Sequence, residues 1–128
     1  LGELDWVILA VPATPETEGM IGAEELAAMK SDCVIVNIAR GSVIDQTALV
    51  EALEKKAIGG AFLDVTTPEP LPADHPLWSL ANAHVTMHLS GRAQDKMFVR
   101  SADRFLDNLD KYLRGEPVAP VFDPRLGY

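Results

Sequence analysis

Asn37-Ile38-Ala39-Arg40-Gly41-Ser42 ends the apolar run Cys33 to Val36 and precedes a helical pattern that begins near Asp45. An apolar run, a polar turn and then a helix is the pattern of a strand delivering its chain to the carboxyl edge of an α/β sheet, where open parallel sheets collect ligands. Arg40 stands at that edge. Its guanidinium is permanently charged and offers a rigid fork of donors, which suits a carboxylate held in two hydrogen bonds, as in a small organic acid. A plainer reading is that Arg40 is a solvated residue outside a strand or the partner of a surface acid.

Working outward, Trp6 to Val11 is a second apolar run of strand length, ended by Pro12 and followed by Thr14-Pro15-Glu16-Thr17. Runs apolar on both faces suit strands covered by helices on both sides. Gly22 is placed to cap a short helix that ends near Met29 or Lys30, with Glu24 and Glu25 in its first turn. Cys33 to Ile38 reads as the second strand, and Asp45 caps a helix with apolar positions Leu49, Ala52 and Leu53. Gly59-Gly60 stops that helix after Lys55 and Lys56, and Ile58 to Val65 forms a third strand whose opening glycines permit close backbone packing.

Thr66 to Pro76 holds four prolines and must be an irregular surface loop. Leu77, Trp78 and Leu80 predict a helical turn that plugs the core, and His84 to Met87 a fourth strand. Phe98, Ala102, Phe105, Leu109 and Tyr112 draw one apolar stripe along a long helix stopped at Gly115-Glu116-Pro117. The tail from Val118 to Tyr128 is too rich in proline and glycine for a helix. Strand and helix alternate throughout, so the class is α/β, a Rossmann-like parallel sheet with flanking helices and right-handed crossovers.

At 128 residues the chain is one domain or a piece of one. It opens on Leu1 directly before a strand, as an excerpt of something longer does. A net charge of -8 with dispersed Lys and Arg argues against a nucleic-acid surface. No apolar run approaches the ~20 residues of a membrane span. Cys33 is the only cysteine, which excludes an internal disulfide and a cysteine-built metal site, and a reducing cytoplasm is the simplest home.

Four polar positions follow strands: Thr14 to Thr17, Arg40, Asp64 with Glu69, and His88. In a parallel sheet these ends point the same way, so the residues converge on one rim. Arginine can hold a carboxylate beside a reacting carbon, and histidine can exchange the proton of a hydroxyl near neutral pH. A neighbouring glutamate favours the charged imidazole and so suits it as a proton donor in a reduction. Gly91 would let backbone approach a bound molecule. Against this, one histidine after a strand is more often structural than catalytic. His75 and His84 are read that way, Cys33 is read as a small core residue, Asp64 can be a loop cap and Glu69 exposed charge.

Five ordered blocks then carry a resemblance. They are Pro12-Ala13-Thr14-Pro15-Glu16-Thr17, Val36-Asn37-Ile38-Ala39-Arg40-Gly41, Gly60-Ala61-Phe62-Leu63-Asp64-Val65 with Glu69-Pro70-Leu71-Pro72, His75-Pro76-Leu77-Trp78, and His88-Leu89-Ser90-Gly91. Over nearly its whole length the chain resembles the D-isomer-specific 2-hydroxyacid dehydrogenases, in the carboxyl half of their NAD(P)-binding domain plus a C-terminal helix and tail. The resemblance implies that Arg40 binds the substrate carboxylate, Glu69 tunes the histidine, and His88 is the acid/base. It implies cofactor contacts at Pro12, Ala13, Thr14, Glu16, Ile38, Ala39, Arg40, Asp64, His88, Ser90 and Gly91, with Asp64 bonding the carboxamide.

The same resemblance implies NAD or NADP as cofactor, a small 2-oxo or 2-hydroxy acid as substrate, and a homo-oligomer, most simply a dimer. The ending Asp123-Pro124-Arg125-Leu126-Gly127-Tyr128 is most similar to the glyoxylate and hydroxypyruvate reductase branch. Met87 stands where a proline is common, and Thr66-Thr67-Pro68 where the family is often aromatic and acidic; both departures bear on substrate preference. The glycine-rich phosphate loop and the substrate domain are expected upstream of Leu1, so this piece alone is expected to bind cofactor poorly and to be inactive. The contrasting expectation is a dinucleotide-sensing interaction protein on the same fold, resembling the family's transcriptional co-repressors.

Overall fold

Four short strands lie side by side and parallel in the order β1, β2, β3, β4: Trp6–Leu9, Val34–Asn37, Gly60–Leu63 and Ala83–Val85. Two helices cross between the first three, α1 over Ala23–Ala27 and α2 over Gln46–Glu54. The computed structural model describes residues 1–91, 96–121 and 123–125. They fall into two units, Leu1–Leu89 and Ser90–Tyr128.

In the first unit local chemistry sets each boundary. Glu25 reaches back to accept the Gly22 N–H at 2.9 Å, which starts α1. The Asp45 carboxylate accepts the N–H groups of Thr47 and Ala48 and starts α2, as expected of an aspartate cap. The strands are shorter than the apolar runs that announce them, because ladder pairing stops where the rim loops turn away. Gly59 opens β3 against another backbone: a Cβ there would sit 2.6 Å from the Asp32 carbonyl oxygen.

The core lies on one face of the sheet. Val7, Leu9, Ile35, Ala61 and Leu63 pack with Leu26 of α1, Leu49 and Leu53 of α2, and Ile58 and Leu77. Cys33 is fully buried among them as a small apolar residue, and burial pushes its thiol pKa up. The other face corrects the expectation of cover on both sides. Trp6 is 56% exposed and Ile8 63%, and Phe62 stacks on His84 with ring centroids 4.6 Å apart and on Trp6 at 6.4 Å. Both helices share one core with the opposite face, so the strands alternate buried and exposed although their sequences do not alternate. The helical turn at Pro76–Trp78 buries Leu77 alone; Trp78 lies largely outside the core, because its indole N–H donates to the Pro72 carbonyl at the surface.

The second unit is built on α3, Met97–Leu113. It ends as expected, with Gly115 at φ 71° and the Glu116 N–H returning to the Lys111 carbonyl, a left-handed stop that glycine makes without steric cost. Its aromatic stripe, Phe98, Phe105 and Tyr112, is exposed. The tail is not helical where described, and the Asn108 side chain holds the Ala119 backbone through both N–H and C=O. Leu126, Gly127 and Tyr128, the end of the tail motif, lie outside the described residues.

Candidate functional site

The strand register makes the rim. Leu9, Asn37 and Leu63 are paired across three strands, and Val85 lies beside Leu63. The segments carrying Pro12 to Thr17, Arg40, Asp64 with Glu69, and His88 therefore leave the sheet from the same edge.

Asn37 shapes the turn that delivers Arg40. It is buried, its carbonyl oxygen accepts the Ala39 N–H at 3.0 Å and its amide donates to the Arg40 carbonyl at 2.9 Å. A short side chain that mimics backbone in this way converts a strand end into a turn. Arg40 projects from the turn exposed, one guanidinium nitrogen donating to the Ala39 carbonyl at 2.6 Å. Among the described residues no carboxylate forms an ion pair with it.

Gly41 follows because nothing larger fits: a Cβ there would fall 2.1 Å from the Thr66 carbonyl oxygen. That contact presses the Arg40 turn against the loop carrying Glu69. The loop is pinned again by Gln46 at the start of α2, whose amide donates to the Thr67 carbonyl at 2.7 Å and accepts the Thr67 N–H at 2.9 Å. Glu69 then divides its oxygens. Oε1 accepts the Thr66 N–H at 3.0 Å, and Oε2 meets His88 Nδ1 at 3.0 Å. The hydrogen bond from His88 lowers the Glu69 pKa from the usual carboxylate range; burial opposes this, while the Thr66 N–H and the charges of His88 and Arg40 add to it.

Asp64 is the hinge of the rim. Its carboxylate accepts the Leu89 N–H at 2.9 Å and the Thr86 hydroxyl at 2.5 Å, and its carbonyl accepts the His88 N–H at 2.8 Å. Asp64, Glu69 and His88 share a cavity of about 410 Å³ with Pro70, Trp78 and Met87. Arg40 does not line that cavity; it stands on the neighbouring strand end, within electrostatic reach of Glu69. In the first loop the Thr17 hydroxyl donates to the Pro12 carbonyl at 2.8 Å, and a hydrogen bond from Thr14 lowers the Glu16 pKa. Ile38 is 43% exposed at the rim and Ala39 is buried. Ser90 and Gly91 belong to the second unit, and a Cβ on Gly91 would meet nothing within 4 Å.

The other histidines take structural parts. The His75 ring accepts the Leu77 N–H and touches Gln46, and His84 belongs to the aromatic stack. Sequence reasoning missed Thr86, Gln46 and the double clamp of Asn37. Thr86 carries a weak signal, two residues before the histidine; Gln46 carries none. Among the described residues no group of three His, Cys, Asp or Glu is placed to hold a metal, and no helix is long and apolar enough to cross a membrane.

Residues 1–90 match the model of the D-isomer specific 2-hydroxyacid dehydrogenase NAD-binding domain. This chain belongs to that family. The chain is 40% identical over 126 residues to glyoxylate/hydroxypyruvate reductase B of Pectobacterium carotovorum, covering 98% of this chain and 39% of the relative. Among solved structures it superposes on a D-isomer specific 2-hydroxyacid dehydrogenase of Xanthobacter autotrophicus, solved with NADPH and MES, with TM-score 0.87 and 40% identity over 97% of this chain and 50% of that one. An NADPH-dependent glyoxylate/hydroxypyruvate reductase of Sinorhizobium meliloti, solved with NADP and sulfate, gives TM-score 0.90 at 28% identity, over all of this chain and 41% of that one. The chain spans about two-fifths of the length of the curated relative.

The rim fits the nicotinamide end of such a cofactor. A partly exposed apolar residue, Ile38, lies one strand from a buried carboxylate, Asp64, which matches a flat ring with a polar amide edge.

Proposed function

We propose that this chain supplies the catalytic rim of an NAD(P)-dependent oxidoreductase acting on small 2-oxo and 2-hydroxy acids of the glyoxylate and hydroxypyruvate kind. The observation that carries the reading is the His88–Glu69 pair at 3.0 Å, set on the same sheet edge as an arginine that no carboxylate among the described residues pairs with.

With Glu69 ionised, His88 Nδ1 is the donor in that pair, which leaves Nε2 to carry the exchanging proton. The cofactor, when bound, supplies or accepts the hydride at the substrate carbon. Arg40 holds the substrate carboxylate, and His88 Nε2 gives its proton to the carbonyl oxygen in reduction and recovers it in oxidation. Glu69 fixes the ring and its tautomer. Pro12, Ala13, Thr14, Glu16, Ile38 and Ala39 would hold the cofactor along its length, and Asp64 would hold its carboxamide. The reading requires a phosphate-binding loop and a second wall of the cleft from elsewhere in a longer protein, and we place that protein in the cytoplasm as a homo-oligomer. The wholly buried, unpaired Cys33 fits a reducing compartment.

In the full-length protein, oxidation of NADPH or NADH with glyoxylate or hydroxypyruvate should fall by at least about 100-fold in both Arg40→Ala and His88→Ala. Near-parental turnover in either variant would overturn the assignment of that residue.

A further inference from the structure

We propose that Thr86 is a positioning residue for His88, acting through Asp64. The inference deepens the reading of His88 as acid/base and rests on it. His88 sits at φ 54°, a left-handed conformation that a residue bearing a Cβ keeps only where its surroundings hold it. Its ring is exposed, so ring packing does not supply that hold. The backbone does. The His88 N–H is fixed on the Asp64 carbonyl and the next N–H, of Leu89, on the Asp64 carboxylate. Asp64 therefore grips the chain on both sides of the strained residue.

A carboxylate can grip only if it is itself aimed. Asp64 Oδ1 receives the Thr86 hydroxyl in addition to the Leu89 N–H, and Thr86 is anchored by its own N–H to the Leu63 carbonyl, 2.9 Å away at the end of β3. Thr86, Asp64 and Leu89 thus close a loop of hydrogen bonds around the His88 backbone, and the hydroxyl brings a side-chain donor to it. Thr86 is exposed, so nothing in the core requires a threonine there. A strand-end residue serving only β-propensity would be replaced by valine without loss.

The test is Thr86→Val, which keeps shape and removes the hydroxyl, beside Thr86→Ser, which keeps the hydroxyl, both in the full-length protein with saturating NADPH or NADH. Thr86→Val should lower kcat for glyoxylate reduction about 10- to 100-fold, the scale of a misplaced reacting group, while the KM for glyoxylate, whose carboxylate is assigned to Arg40 outside this hydrogen-bond loop, stays near the parental value. Thr86→Ser should restore most of the lost kcat. Equal kcat in parent and Thr86→Val, or equal losses in the valine and serine variants, would overturn the inference. His88→Ala in the same assay separates the two levels. A dead His88→Ala beside a fully active Thr86→Val sinks the positioning proposal alone, whereas an active His88→Ala sinks the functional reading and this one with it.

Discussion

Glu69 shows how much a single carboxylate must do at this rim and how its contribution depends on pH. Its folded-state pKa is lowered, chiefly by the hydrogen bond from His88. A group depressed in this way adds stability that is fully present above its unfolded pKa and fades as pH falls through the folded value. The stability difference between the parent and Glu69→Gln should therefore be measurable at pH 7 and narrower at pH 3. It should be small throughout, since both partners are about half exposed and solvent screens them. Denaturant midpoints at the two pH values test this, and a gap that widens on acidification would contradict it. The charged residues of the site were legible in sequence because arginine, glutamate and histidine announce chemistry by type. Asn37 and Thr86 were not, since a side-chain hydrogen bond to a turn's backbone or to a carboxylate distant in sequence leaves no mark in a chain read without its turns. Asn37 in particular reads as the last residue of a strand until its amide is seen closing the Arg40 turn.

Among the elements, the irregular segments carry the geometry and the regular ones carry the frame. The two crossover helices and the parallel order follow from patterns that sequence states openly: the Asp45 cap, the Leu49, Ala52 and Leu53 face, and the apolar strand runs. What sequence withheld was which strand faces are covered, because a continuous apolar run looks the same whether one side is packed or two. It also withheld the contact between the Arg40 turn and the Thr66 loop, which depends on Gly41 having no side chain. Gly41→Ala must push the Thr66 carbonyl aside and carry Glu69 with it. We expect a loss of about 1–3 kcal/mol from overpacking together with a fall in turnover, read from denaturant melts and steady-state rates. An alanine variant with parental stability and rate would show that the loop gives way freely.

For the molecule as a whole, the sheet leaves, among the described residues, one edge of β1 without a strand partner and one face without cover. Trp6 and Ile8 lie on both that strand and that face. Unpaired strand edges beside apolar side chains recruit other chains. The isolated chain is therefore expected to self-associate, by edge pairing or exchange of the last helix. Light scattering should report species larger than monomer, and the double variant Trp6→Lys, Ile8→Lys should reduce them. A clean monomer of the parent sequence would count against the prediction. That behaviour is predicted for this 128-residue chain.

The seat of His88 has one more effect. Because the imidazole is mounted by main-chain ties and a carboxylate rather than wedged among apolar neighbours, the cavity wall beside it is free to vary. Met87 is 80% exposed and Trp78 53%, and neither bears on those ties. If the proposed function holds, directed evolution toward bulkier or smaller acids has its natural starting library at these two positions, where pocket shape can drift while His88 keeps its aim.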